Sequence, residues 1–146
     1  MNGTTRQERR RERPAVLLDS TFLIQLEHEL RLRGDDASTP TGPALQFLAR
    51  HHSKPLSISP ICAGEFYAGC QDFSDARRFL AGFNSLALTD AVATQAGINE
   101  REQRAKGRPM GENDNWIAAT ARHYVREIVS RDKGFDGVRG VKRVTY

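Results

Sequence analysis

Short unbroken apolar runs alternate along this chain with stretches whose apolar residues recur every three or four positions. AVLLD (15–19) is the first such run, as expected of a strand buried on both faces of a parallel sheet. STFLIQLEHELRLR follows, with Phe22, Leu23, Leu26 and Leu30 at helical spacing and a stop at Gly34. A loop over 35–43 leads to TGPALQFLARHH, a second helix whose end carries His51 and His52 as solvated residues. LSIS (56–59) is the next strand, ended by Pro60, and ICAGEFYAG is an almost wholly apolar helix after it. FSDARRFLAGF (73–83) reads as a helix capped by Ser74, and SLALT (85–89) as a third strand. A long helix runs from Asp90 to about Lys106, and Gly107-Arg108-Pro109 breaks it. A helix from Glu112 to Tyr124 and a strand REIVS (126–130) complete the alternation; VKRVTY closes the chain as a short edge strand beyond a turn-rich loop. Strands alternating with helices predict one α/β sandwich built on a parallel sheet.

Length and composition narrow the class. The 146 residues suffice for one domain with a real core, and no apolar run approaches the roughly 20 residues of a membrane helix. Basic residues at the start have no apolar segment behind them, so a secretory signal is not expected. Cys62 and Cys70 have neither CxxC spacing nor a His cluster beside them, and read as two buried thiols of a reduced, cytoplasmic protein.

The net charge of +4 is unevenly spread. Residues 1–13 hold five Arg against two Glu, so 1–14 reads as a disordered leader, or else as a nucleic-acid-binding arm. Residues 14–100 carry a net of −4, and 101–146 a net of +5. The basic last third suits a polyanionic substrate.

Four acids carry the candidate chemistry: Asp19 at the end of the first strand, Glu65 on an apolar helical face with Ile61, Ala68 and Gly69, Asp114 in the first turn of a helix, and Asp132 after the fourth strand. Each also has an ordinary reading. Asp19 is a good helix N-cap, Asp114 a favourable charge at a helix start, Asp132 a turn residue, and Glu65 a hydrogen-bonded structural acid. Together they suggest more, because Asp19 and Asp132 follow apolar strands at the end where α/β sheets hold ligands. Two carboxylates ~4 Å apart repel by ~4 kcal/mol at an effective dielectric of ~20. A cluster of them therefore protonates, spreads or takes up a cation. Oxygen-only donors favour Mg²⁺ or Mn²⁺ over zinc. Composition alone leaves a nuclease and other metal-dependent phosphate enzymes equally open.

The same stretches resemble a known family. VLLDSTFLI, ISPICAGEFYAG, GRPMGENDNWIAATA and SRDKGFDGVRGVKRV, in this order, are similar to the four acid-bearing segments of PIN-domain proteins, most closely the VapC-like toxins of bacterial toxin–antitoxin pairs. The resemblance spans 15–146 and implies a three-layer α/β/α sandwich with a central, mainly parallel sheet of about five strands. It implies a Mg²⁺- or Mn²⁺-dependent endoribonuclease in which Asp19 and Asp114 hold the principal metal. Glu65 would complete the cluster, and Asp132 would bind a second metal or position water. Thr21 and Ser130 match hydroxyl positions that orient the acids. Homodimers are common in the family, as is a small antitoxin that fills the groove and itself binds DNA. Arg108 and Arg131 are expected to contact substrate phosphate. A second expectation is a PIN-fold binding subunit that acts mainly in a DNA-binding complex with its antitoxin and cuts poorly. A phosphotransfer enzyme with Asp19 as nucleophile is disfavoured, because Ser20-Thr21-Phe22 offers no second acid.

Overall fold

Five strands, all parallel, lie in the order β3-β2-β1-β4-β5, so the first strand is central. The computed structural model describes residues 15–35, 42–51 and 55–146. The expected leader, residues 36–41 of the expected first loop, and His52 lie outside the described residues. In chain order the elements are β1 (Val16–Leu18), α1 (Ser20–Arg33), α2 (Pro43–His51), β2 (Leu56–Ile58), α3 (Pro60–Gly69), α4 (Phe73–Leu80), β3 (Asn84–Ser85), α5 (Asp90–Ala105), α6 (Glu112–Tyr124), β4 (Glu127–Val129) and β5 (Arg143–Val144). A single 3₁₀ turn, Lys133–Phe135, interrupts the loop between β4 and β5.

The topology has one direction change. From β1 the chain steps to β2 and β3, then returns through α5 and α6 to place β4 on the other side of β1. Right-handed crossovers put α1–α4 on one face and α5–α6 on the other, which is the expected three-layer sandwich. The reversal opens a crevice at the carboxyl ends of β1 and β4. Those two strands pair as Leu17 with Ile128 and Leu18 with Val129.

Local chemistry sets the element starts. Asp19 caps α1, Ser59 caps α3 with Pro60 in its first turn, and Thr89 caps α5, each accepting a backbone N–H through its side chain. The core joins Val16, Leu17 and Leu18 to Phe22, Phe47, Ile117, Ile128 and Phe135, all essentially sealed from solvent. A second small cluster, Val92, Ala96 and Ala119, with Trp116 packed against it, binds α5 to α6.

Several expected boundaries move. The third strand is Asn84–Ser85 instead of 85–89; only one further bond, from the Leu86 N–H to the Ile58 carbonyl, continues it. It is an exposed edge, so apolar residues there carry no obligation to pair. The last strand shrinks to Arg143–Val144. The cap of α4 is Asp72, which accepts from the Asp75 N–H at 2.9 Å, and Ser74 lies inside the first turn. Of the two thiols expected to be buried, Cys62 is fully buried and Cys70 only half-buried; both are free.

Candidate active site

Asp19 stands at the crevice because β1 ends beneath it and α1 begins with it. Its backbone N–H bonds the Val129 carbonyl of β4 at 3.3 Å, which ties the two strand ends together. The carboxylate is 5% exposed and held from two sides. Oδ1 accepts the Phe22 N–H at 2.8 Å, and the Thr21 hydroxyl is 2.9 Å from both oxygens. Oδ2 keeps the freer lone pairs. The cap expected as the ordinary reading of Asp19 is therefore real, and it orients the acid without saturating it.

Helices α3 and α6 touch each other and carry the next two acids. Glu65 is half-buried; burial pushes its carboxyl above the ordinary 4.5, and the negative charges of Asp114 and Asp19 push the same way. The nearby Ser20 hydroxyl partly offsets this, while the buried Oε1 has no hydrogen-bond partner. Asp114, in the first turn of α6, is raised above 3.8 by burial first, then by Asp132 and Asp19. Gly111 caps this helix without a side chain and leaves the approach to Asp114 open.

Asp132 is exposed and caps the 3₁₀ turn through Oδ1, which accepts the Gly134 N–H at 2.8 Å. The wholly buried Ser130 positions it: the Asp132 N–H donates to Ser130 Oγ at 2.9 Å. The turn-residue reading of Asp132 is thus also true. It does not exclude a second role, because Oδ2 remains.

The acids gather at the switch point: Glu65 is within electrostatic reach of Asp114 and Asp19, and Asp114 of Asp132 and Asp19. The donor set is oxygen only, and an unpartnered buried oxygen on Glu65 fits a cation better than a closed polar core. The group is open, however. Among the described residues, no three Asp, Glu, His or Cys side chains converge closely enough to grip one ion as they stand.

A cavity of about 290 Å³ opens beside Asp114 and Asp132, with Arg108 and Lys133 on its wall. Of the two arginines expected to contact phosphate, Arg108 lines this cavity. Arg131 is placed elsewhere: its guanidinium lies 4.4 Å above the ring of Tyr146, and its Nε donates to the Tyr146 main-chain oxygen at 3.0 Å. Three neighbours of the site were not singled out in the sequence. Ser20 and Lys133 directly adjoin Asp19 and Asp132 and were open to notice; Tyr146 gave no sequence signal.

A parallel sandwich with acids gathered at its switch point places the chain among α/β proteins that work at the carboxyl edge of the sheet. The PIN domain model matches residues 16–141, and the chain belongs to the PIN domain family. PIN domains are in general nucleases and commonly use divalent metals. Similar solved structures include VapBC2 from Rickettsia felis bound to a DNA fragment from their promoter (17% identity, 90% of this chain and 98% of that chain, TM-score 0.66). A toxin–antitoxin complex from Klebsiella pneumoniae is 23% identical over 87% of this chain and 95% of that one, with a TM-score of 0.63. DNA-bound VapBC from Salmonella typhimurium is 18% identical over 91% and 98%, with a TM-score of 0.67. These likenesses establish the fold. No curated protein matches the chain in sequence.

Proposed function

We propose that this PIN domain is a Mg²⁺- or Mn²⁺-dependent endoribonuclease, the toxin of a VapBC-like toxin–antitoxin pair. The observation that carries the reading is the convergence of Asp19, Glu65, Asp114 and Asp132 on one crevice, with Glu65 pushed towards protonation by burial and by Asp114 and Asp19, and Asp114 by burial and by Asp132 and Asp19. Such a group is relieved by a cation. Asp19 and Asp114 would hold the principal ion, with Glu65 and Asp132 completing the shell. A divalent ion there supplies neutralisation of charge on a phosphoryl oxygen and acidifies water.

The chain's own residues do the rest. Thr21 and the Phe22 N–H fix the Asp19 carboxylate, and Ser130 fixes the backbone of Asp132. Arg108 and Lys133 line the adjoining cavity and hold the flanking phosphate of the RNA strand. The basic last third of the chain steers the polyanion to this end.

Partner and setting follow from the same reading. An apolar groove of about 830 Å³ between α1, α3 and α4 includes Ile24, Phe66 and Phe79, with Glu27, Asp72 and Asp75 among its lining. It suits an antitoxin segment with apolar and basic residues. The protein works as a cytoplasmic homodimer, and DNA is reached only through the antitoxin. Among the described residues, no helix is long and apolar enough to cross a membrane.

The second reading, a binding subunit that cuts poorly, draws on the open arrangement of the acids. One experiment separates the two. Antitoxin-free protein is incubated with total RNA in Mg²⁺, Mn²⁺ or EDTA, beside Asp114→Asn. Discrete metal-dependent products that disappear in the variant support the nuclease. Cleavage that is equal in the variant refutes the role of Asp114. Metal binding without any turnover favours the binding subunit.

A further inference from the structure

Asp132 rides on a loop that leaves β4 at Ser130 and folds back through the 3₁₀ turn, and one guanidinium closes that loop. Arg143 begins β5 and stands in register with Ile128 of β4. Its Nη1 donates to the Ser130 carbonyl at 3.1 Å. Its Nε and Nη2 donate to the two oxygens of Asp136, at 2.7 and 2.9 Å. Asp132 lies between these two anchors. Inside the loop, the Asp132 N–H donates to Ser130 Oγ at 2.9 Å, and the Asp136 N–H to the Lys133 carbonyl at 3.0 Å. The Gly134 N–H donates to Asp132 Oδ1 at 2.8 Å, and buried Phe135 pins the turn to the core.

An exposed ion pair by itself contributes little to stability, and Asp136 is exposed. Geometry sets this pair apart. The contact is a two-bond fork, which fixes direction as well as distance. The Arg143 side chain is only 15% exposed, and its third bond reaches the main chain two residues before Asp132. The guanidinium therefore spans the loop instead of decorating one side of it. Aspartate is short, so a fixed main chain and a bonded Oδ1 leave Oδ2 one direction to face. An open loop would have to be ordered by the ion itself, at a cost in affinity.

We propose that Arg143 is a positioning residue for the site: by bridging the Ser130 carbonyl and the Asp136 carboxylate it holds the loop closed and keeps Asp132 on the cavity wall it shares with Asp114. This deepens the reading of Asp132 as part of a cation site, and its effect on metal binding rests on that reading. Arg143 acts through Asp132 and needs no contact with metal or substrate.

The test uses the whole chain with Arg143→Lys, Asp132→Asn and the double variant. Lysine keeps the positive charge and removes the planar fork. Asp136→Asn opens the same bridge from its other side and stands in should Arg143→Lys fail to fold. Two readouts are taken: Mn²⁺ affinity by calorimetry, and the amide proton shifts of Gly134 and Phe22 in metal-free protein. The Gly134 amide reports the Asp132 carboxylate, and the Phe22 amide reports that of Asp19. Arg143→Lys should weaken Mn²⁺ binding roughly tenfold, the low end for an outer-shell partner. It should move the Gly134 amide, leave the Phe22 amide in place, and add little once Asp132 is Asn. An unmoved Gly134 amide in folded Arg143→Lys overturns the proposal, as does a full additional loss in the Asp132→Asn background. Equal movement of the Phe22 amide marks a general loosening and overturns it too. If the unsubstituted protein binds no Mn²⁺, the metal reading fails, and the two amides alone decide the positioning role.

Discussion

Asp19 performs two tasks that substitution can separate, capping α1 and presenting charge to the crevice. Asp19→Ala removes both. It leaves the buried Phe22 N–H, now bonded at 2.8 Å, without its acceptor. A lost cap costs about 1 kcal/mol, and a buried donor left unpaired raises that to about 1–3 kcal/mol. At roughly 4 °C per kcal/mol for a chain this size, the melting midpoint should fall by roughly 4–12 °C. Asp19→Asn keeps an oxygen where Oδ1 stands and should cap within about 0.5 kcal/mol of the native acid. Both variants lose the same charge, so relief of repulsion with Glu65 and Asp114 is common to them. Their difference isolates the cap. Saturating Mn²⁺, at about 100 times Kd, should then stabilise the native protein by about 2.7 kcal/mol and leave both variants unmoved. Thermal melts of metal-free and Mn²⁺-loaded samples measure both effects. An Asn variant as unstable as the Ala variant refutes the capping argument. An Asn variant still stabilised by Mn²⁺ refutes Asp19 as a ligand.

Three further outcomes are expected. Glu65 and Asp114 are held above their ordinary 4.5 and 3.8, so in the metal-free fold their contribution to stability should be most favourable below those values. That contribution should be lost as the pH rises through the raised ones, because the folded state binds the extra protons. Urea titrations across that range should show the slope, and Glu65→Gln should flatten it. Arg108→Ala should weaken RNA binding and reduce its salt slope by about 1, whereas Arg131→Ala should leave the slope unchanged; binding measured against salt concentration decides. Val125 ends α6 in a left-handed conformation, φ 54°, at 81% exposure. Val125→Gly should therefore raise stability by about 1 kcal/mol in chemical denaturation, and a loss would show that the strain is absent.

The resemblance of four ordered segments was enough to reach the family, since each segment is local: an acid next to the strand or helix that aims it. Buried strands of the parallel sheet were legible for the same reason, because VLL and the Ile128-Val129 part of EIV lie buried on both faces and are apolar. Periodicity marked α1, because a helix writes its buried face into three- and four-residue spacing, whereas α3 was read from its almost wholly apolar composition. Edge elements were read too long at SLALT and VKRVTY, where solvent rather than a neighbouring strand satisfies the backbone. The cap of α4 was misplaced because Asp72 and Ser74 both suit a helix start, and local sequence does not choose between them.

Other features belong to the tertiary structure alone. Strand order decides that β1 and β4 are neighbours, and hence that Asp19 faces Ser130 and Asp132. The contact of α3 with α6 sets the spacing of Glu65 and Asp114, which leaves the acids gathered but open. Arg108 and Arg131 look alike in sequence, yet one lines the cavity and the other covers Tyr146. Sequence specified which acids this protein has and which element aims each of them. Distances between groups 40 to 120 residues apart depend on packing, and only the folded sheet supplies that.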